Sequence, residues 1–389
     1  RGSFAMGELV RAGAPNSFAM GQSVEVDPLA NNAMVFGHGN GAGNIIFNDI
    51  PNSLMIGFNS NIPTLFVGPS FGTNTTGMVG IGLTNPDFML HIKGDEVNTF
   101  GGIIAEGGSV TGSGPVVPSS TNIRMIWYPR KAAFRAGQAG SEWDDANIGD
   151  FSIAMGKNAK ASTRASVALG ENTVSSGLAS TALGATTTSS GLGSLASGFF
   201  SVASGFASFA SGKNNTASNL CAVAFGDSTQ ATGVFSFAAG KNAIAAGTTS
   251  VAIGQDIEAQ GDFSFVIGRL ARATVNNAVL GIGLSDDPLV NNFFNSLMIG
   301  YNSNIPTFFV GPSTGLGTTG NVKIGGIGTP FVLPSDKLEI VSDVLGESGL
   351  TLTNLPNTVT PITNPGLGVL SVDATGKVIF VNDAIVVTG

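Results

Sequence analysis

Few residues of this sequence are of the types that enzymes use for catalysis. Its 389 residues include two histidines, His38 and His91, which stand far apart in the chain. A zinc site needs several histidine or cysteine ligands at short spacings, and a serine nucleophile needs a base beside it. We therefore predict no catalytic residues, no metal ligands and no cofactor-binding residues, and we do not expect an enzyme.

Two glycine-containing stretches superficially resemble nucleotide-binding motifs. GHGNGAG at 37–43 lacks the spacing and the strand-to-helix context of a dinucleotide fingerprint. GFASFASGKN at 205–214 resembles a phosphate loop, but Gly205 and Gly212 are seven residues apart and belong to a longer repeat. We interpret both stretches as structural.

The remaining candidates for chemistry are a group of acids and one thiol. Asp144 and Asp145, beside Asp150, could bind a cation, although a solvated turn is the interpretation we favour. Cys221 is the single cysteine, so it cannot form an intrachain disulfide, and we expect a small buried apolar residue there.

Composition excludes several classes of partner. The net charge of −8 argues against nucleic acid, which would require a basic surface. No apolar run is long enough for a membrane-spanning helix in this segment. The 56 glycines and 26 phenylalanines favour a repetitive β protein over a disordered chain.

A repeat of 14 residues organises the middle of the chain. Its first glycine recurs at Gly156, Gly170, Gly184, Gly198, Gly212, Gly226, Gly240, Gly254 and Gly268. A second glycine often follows seven residues later, as at Gly177. One strand and one corner per seven residues would give a coil of two strands, with these glycines as structural turn residues. A heptad helix is disfavoured because each glycine costs a helix about 1 kcal/mol relative to alanine.

The strand of each repeat has one apolar face and one face of small residues, because side chains alternate along a strand. Val167 and Leu169 point one way, while Ser166 and Ala168 point the other way. We assign the alanines to a trimer interface, in which another backbone approaches closely; the alternative is that they fill a narrow lumen. The alanines are Ala154, Ala168, Ala182, Ala196, Ala210, Ala224, Ala238 and Ala252.

The pattern S-V-A-x-G, with its second A-x-G-type half, resembles the head repeat of trimeric autotransporter adhesins over roughly 150–275. That resemblance implies a left-handed parallel β-roll in a homotrimer. The many phenylalanines, such as Phe209 and Phe225, depart from the usual pattern of that family.

A longer repeat places a connector after each roll. NSLMIGFNSNIPTLFVGPS at 52–70 returns almost unchanged at 295–313. The connector and the segment RMIWYPRKAAFRAG at 124–137 resemble modules of bacterial tail-fibre-domain surface proteins. We interpret an aromatic cluster as the cap of the second roll, with a ligand-binding patch as the alternative; it comprises Trp127, Tyr128, Phe134 and Trp143.

These features predict an all-β fold of alternating modules in an elongated homotrimeric fibre. We expect the end of a first β-roll at 1–50, a connector at 51–122, the cap at 123–150, the second β-roll at 151–290, a second connector at 291–345 and a β-hairpin stalk module at 346–389. In the last module, strands 369–372 and 377–381 should pair about a D-A-T-G turn.

Such a fibre predicts a structural function. We expect a segment of a longer protein, an extracellular adhesin-like fibre or filament at a bacterial cell surface, used for attachment or spacing, with a surface receptor or glycan as a further partner. The alternative is a trimeric tail fibre of a phage or contractile injection particle. A glycan-cleaving enzyme is disfavoured because acids are scarce in the roll.

Overall fold

The computed structural model describes residues 2–41, 43–70, 72, 75–93, 121–284, 287–326, 331–342, 369–372 and 378–381. The described residues form β-strands and three one-turn 3₁₀ helices, Pro129–Lys131, Ser141–Trp143 and Asp145–Asn147. The chain divides into two compact units, Arg1–Glu106 and Gly107–Gly389. The expected all-β fold is confirmed, and each unit contains its own stack of parallel coils.

The described residues of the first unit contain eight strands. They are β1 Phe4–Ala12, β2 Phe18–Val26, β3 Met34–His38, β4 Ile46–Asn48, β5 Leu54–Phe58, β6 Leu65–Val67, β7 Val79–Ile81 and β8 Leu90–Ile92. Strands β1, β2, β3 and β5 pair in parallel, and β6 then runs antiparallel to β5.

The described residues of the second unit begin with a hairpin and continue as a long roll. Its strands are β9 Ile123–Tyr128, β10 Ala133–Gln138, β11 Ile153–Lys157, β12 Lys160–Ala161, β13 Val167–Glu171, β14 Val174–Ser175, β15 Thr181–Ala185, β16 Thr188–Ser189, β17 Leu195–Phe199, β18 Val202–Ala203, β19 Phe209–Lys213, β20 Thr216–Ala217, β21 Val223–Asp227, β22 Gln230–Ala231, β23 Phe237–Ala245, β24 Val251–Ala259, β25 Phe265–Arg269, β26 Ala271–Ala273, β27 Ala278–Ile282, β28 Leu289–Asn291, β29 Leu297–Tyr301, β30 Phe308–Val310, β31 Val322–Ile324 and β32 Leu338–Ile340.

Each 14-residue repeat forms one coil, with a long first strand and a short second strand. Equivalent residues pair in register, so that Gly156 lies opposite Gly170 and Gly170 lies opposite Gly184. This parallel ladder also includes Gly137 before the predicted series, and Gly281 and Gly300 after it. The β-roll is therefore longer than its regular repeat.

Coil length changes at the ends of the roll without loss of register. Gly137 pairs with Gly156 although 19 residues separate them, and Gly268 pairs with Gly281 at a separation of 13. In the first unit, Gly21 pairs with Gly37 across 16 residues. The differences fall between strands, so the corners absorb insertions while the strands remain aligned.

The corners turn at residues with positive φ that recur every seven residues. From Phe151 to Leu270 every seventh residue has φ between +50° and +65°, and asparagine occupies several of these places, as at Asn158 and Asn172. Asparagine tolerates this left-handed region better than most residues. The predicted turn glycines lie two residues before these positions, at the end of each first strand.

Close approach of the next coil explains the glycines. A Cβ added to Gly184 would overlap the carbonyl oxygen of Gly198 in the neighbouring strand. Gly177 has no positive φ, yet its Cβ would overlap the carbonyl oxygen of Gly191. Gly184 also has φ +110°, so both the close approach of the next backbone and its own backbone conformation favour glycine there, whereas Thr163 and Asn219 occupy the place of Gly177 in other coils.

The two connectors share one strand arrangement. Leu54 pairs with Val67 between antiparallel β5 and β6, and Leu297 pairs with Val310 between antiparallel β29 and β30. Both β5 and β29 also belong to the parallel ladders of their rolls. Each roll therefore extends into the first strand of the predicted connector.

The predicted C-terminal hairpin is confirmed at the level of its backbone. Strands β33 Val369–Val372 and β34 Val378–Val381 pair antiparallel, with Val369 opposite Val381. The D-A-T-G turn itself lies outside the described residues.

Candidate functional site: the outward apolar face

The outward side chains of the first strands form a candidate interaction surface, here called the apolar face. In β11 the buried Ala154 lies between Ile153 and Met155, which are both exposed. The same alternation continues in β13, where half-buried Val167 and Leu169 flank the buried Ala168. Parallel register stacks these residues into two columns along the roll.

Neither of the two columns that form the apolar face contains a charged residue. From β10 to β29 its two columns carry aliphatic, aromatic, alanine, serine or threonine side chains. The adjacent corner differs, because ion pairs join Lys157 to Glu171 at 3.0 Å and Lys213 to Asp227 at 3.9 Å. A single chain thus leaves one large apolar surface in water, which marks an interaction site.

The first unit presents an equivalent face. Phe4 and Phe18 stack with ring centroids 4.9 Å apart, and Phe36 of the next strand lies diagonally beside Phe18 with its ring tilted and centroids 5.0 Å apart. Phe4 and Met6 are exposed beside the buried interior formed by residues such as Ala19. Both units therefore leave the same side of their coils apolar.

The assignment of the eight alanines to a trimer interface is wrong. Ala154, Ala168, Ala182, Ala196, Ala210, Ala224, Ala238 and Ala252 are all 0% exposed within one chain. Their side chains fill the lumen, which is the alternative interpretation, and buried atoms cannot contact another chain. In the regular coils, small side chains fill the narrow space between the two backbones.

The serine column closes the corners from inside the lumen. Ser180 is buried and its Oγ donates a hydrogen bond of 2.7 Å to the carbonyl oxygen of Gly177. Equivalent bonds are made by Ser152, Ser166, Ser194, Ser208, Ser236 and Ser264. In the sequence these serines, such as Ser166, show only as part of a face of small residues, which does not reveal the hydrogen bonds they make.

Two of the four predicted cap residues are buried at the start of the second roll. Trp143 is 0% exposed, and its Nε1 donates a hydrogen bond of 2.8 Å to the carbonyl oxygen of Ala159 in the first full coil. Tyr128 is buried and donates to a carboxylate oxygen of Asp145 at 2.6 Å. Trp127 and Phe134 face outward, in register with Ile153 of the apolar face.

Asp145 contacts both the buried Tyr128 and the basic residues that follow it. Its carboxylate lies 3.5 Å from the Lys131 ammonium and 4.0 Å from the Arg130 guanidinium. The hydrogen bond from Tyr128 is the main cause that lowers the pKa of Asp145, and burial is the main cause that raises the pKa of Tyr128. This aspartate has a structural role, but it is half-buried and bonded to Tyr128 rather than part of a solvated turn.

A buried arginine occupies the alanine column at the start of the roll. Arg135 pairs in register with Ala154 and is 0% exposed. Its guanidinium donates to the carbonyl oxygens of Phe134, Ser152 and Ala161 at 2.8, 2.9 and 3.0 Å. Burial lowers the pKa of Arg135 to about 10. The sequence alone does not reveal the place of Arg135 in the ladder, because this residue stands outside the regular repeat.

The remaining candidate residues do not form a chemical site. His38 ends β3 in the first ladder, and His91 lies in β8 with its Nδ1 3.7 Å from the Asp87 carboxylate. Cys221 is half-buried at a corner with φ +50°, so the expected burial is only partial. In the described residues, histidine, cysteine and acidic side chains form no group that could hold a metal ion.

The coils and the apolar face define a β-roll repeat protein. The model of the YadA head domain repeat matches residues 148–173, 175–201, 217–243 and 231–256, so the chain contains YadA head domain repeats. No curated protein matches the chain. Within the described part of the chain, the helices are too short to span a membrane.

Proposed function

We propose that this chain is part of a homotrimeric adhesin-like fibre, extracellular and at a bacterial surface. Three chains pack through their apolar faces, and the rolls and connectors space or present contacts to a receptor or glycan. The observation that carries the proposal is the uncharged apolar face, which a single chain leaves exposed along the roll. The YadA head domain repeats support the class of protein.

The shape of the face favours a second copy of the chain as its partner. Its columns repeat at the spacing of neighbouring strands, about 4.8 Å. A partner that contacts every coil along the face must present an equally long surface with the same repeat. Another copy of this chain does so, and burying apolar surface stabilises the assembly by about 25 cal/mol per Å².

Native mass spectrometry of the chain tests the assembly, and we expect three chains per particle. Phe225→Glu places a charge on the apolar face and should yield monomers. The matched control is Gln230→Glu, which adds the same charge to the outward side of β22 in the same coil. A stable monomer of the unmodified chain at micromolar concentration contradicts the proposal.

Fibre function also implies the absence of catalysis and a role at the cell surface. Polysaccharides incubated with the purified chain should remain intact. Immunogold labelling of cells that produce the whole protein separates a surface fibre from the alternative, a phage or injection-particle tail fibre. The head-repeat match favours the surface fibre.

A further inference from the structure

The strand β9 is the first strand of the hairpin that β9 and β10 form. Its outer side is apolar and exposed. Ile123, Met125 and Trp127 alternate along β9 and are 82%, 75% and 44% exposed. Side chains at such spacing lie on one side of a strand. These three residues therefore form a row that faces water in the single chain.

Register places this row in the same sheet as the apolar face. Trp127 pairs with Phe134, which pairs with Ile153. Met125 pairs with Ala136, which pairs with Met155. The apolar face thus continues from the roll across β10 and ends on β9.

The opposite side of the hairpin packs into the chain's own core. Tyr128 is buried, forms a cluster with Ala133 and Ile148, and packs beside half-buried Ile126. The hydroxyl of Tyr128 also donates to Asp145. The exposed row of β9 makes no comparable contribution to the chain's own core, so its apolar character needs another explanation.

We propose that the outer side of β9 is an inter-chain contact, which packs against a second copy of this chain and extends the apolar face past the first coil. This inference rests on the proposed trimer. The coils of the roll have similar apolar faces, so two chains could pair one coil out of step at little cost. The hairpin differs from every regular coil. Contact between copies of β9 therefore aligns the chains so that equivalent coils lie side by side.

Tryptophan fluorescence tests the contact, because Trp127 and Trp143 are the only tryptophans. In a Trp143→Phe chain the signal reports Trp127 alone. We expect acrylamide to quench it several-fold less in the assembly than in the monomer produced by Phe225→Glu. Should Trp143→Phe fail to fold, the difference between the unmodified chain and Trp127→Phe gives the same signal.

Cysteine cross-linking gives a second measurement in a Cys221→Ser chain. We expect Met125→Cys to cross-link between copies with a short bismaleimide, whereas Ser176→Cys, exposed beyond the second strand, should not. A trimer in which Trp127 stays fully quenchable and Met125→Cys fails to cross-link overturns the inference but leaves the trimer intact. A monomer by mass contradicts the proposed function itself.

Discussion

Ser236 and Ser250 occupy the same place in consecutive coils, but only one of their hydroxyls has a hydrogen-bond partner among the described residues. Ser236 Oγ donates to the carbonyl oxygen of Gly233 at 2.7 Å, whereas Ser250 Oγ is buried with no partner. One hydroxyl closes a corner, and the other loses its hydration without compensation.

This difference predicts opposite outcomes for the same substitution. Ser236→Ala should lower the free energy of unfolding by about 1 kcal/mol, because it removes a corner hydrogen bond. Ser250→Ala should be neutral or stabilising, because it removes an unsatisfied buried polar group. Thermal unfolding of both variants measures the contrast, and equal losses would contradict the role assigned to the serine column.

Glycine substitutions should show how much the close approach of a neighbouring backbone adds to the cost of a positive φ. Gly184→Ala should cost about 4 kcal/mol or more, since Gly184 has φ +110° and its Cβ would also overlap the backbone of Gly198. Gly193→Ala is the control: Gly193 has φ +65° but open space around its Cβ position, and Ala179 and Ala207 fill the equivalent corners. We expect the control to cost about 1 kcal/mol, as measured by denaturant unfolding.

Substitutions in β19 should distinguish the lumen from the apolar face. Ala210→Phe inserts a ring into the filled lumen and should destabilise the roll by about 3 kcal/mol or more. Phe209→Glu, one residue earlier and facing outward, should leave the coil folded but release the chains from one another. Circular dichroism and native mass spectrometry read the two effects separately. Normal folding of Ala210→Phe would refute the lumen assignment.

Acid should loosen the cap of the second roll. Because the pKa of Asp145 is lowered from 3.8, its ionised form stabilises the fold fully above that pH. This contribution decreases as the pH falls below 3.8 and through the folded-state pKa. In the Asp145→Asn chain that part of the acid dependence should disappear, whereas Asp150→Asn, at an exposed site, should retain it. Fluorescence of buried Trp143 during acid titration provides the measurement.

The sequence predicted the coil because each repeat places the same residue at the same backbone position. Glycine and alanine columns revealed the period, and the hairpin at 369–381 followed from its alternating strands. The sequence did not show which face of the strand is inside, because alternation distinguishes two faces without orienting them. In larger folds the bulky face is buried; in this narrow coil the alanines are inside and residues such as Leu169 are outside.

The ends of the rolls were harder to predict for a different reason. Gly137, Gly281 and Gly300 belong to the ladder, but variable corners shift them off the 14-residue spacing. The burial of Arg135 could not be predicted for the same reason, because its equivalence to Ala154 depends on a corner of unusual length. The tail-fibre resemblance of the connectors stays a prediction.

The fixed register between coils has a genetic consequence. Thr181 pairs with Leu195 as Leu195 pairs with Phe209, so loss of residues 181–194 would join two equivalent points of the ladder. Unequal recombination within the gene can therefore shorten or lengthen the roll by whole coils, about 4.8 Å at a time. In the proposed trimer all copies of the chain change together, because one gene encodes them, and their apolar faces remain matched in length. The reach of the proposed fibre is thus a heritable quantity that varies in steps without requiring a new fold.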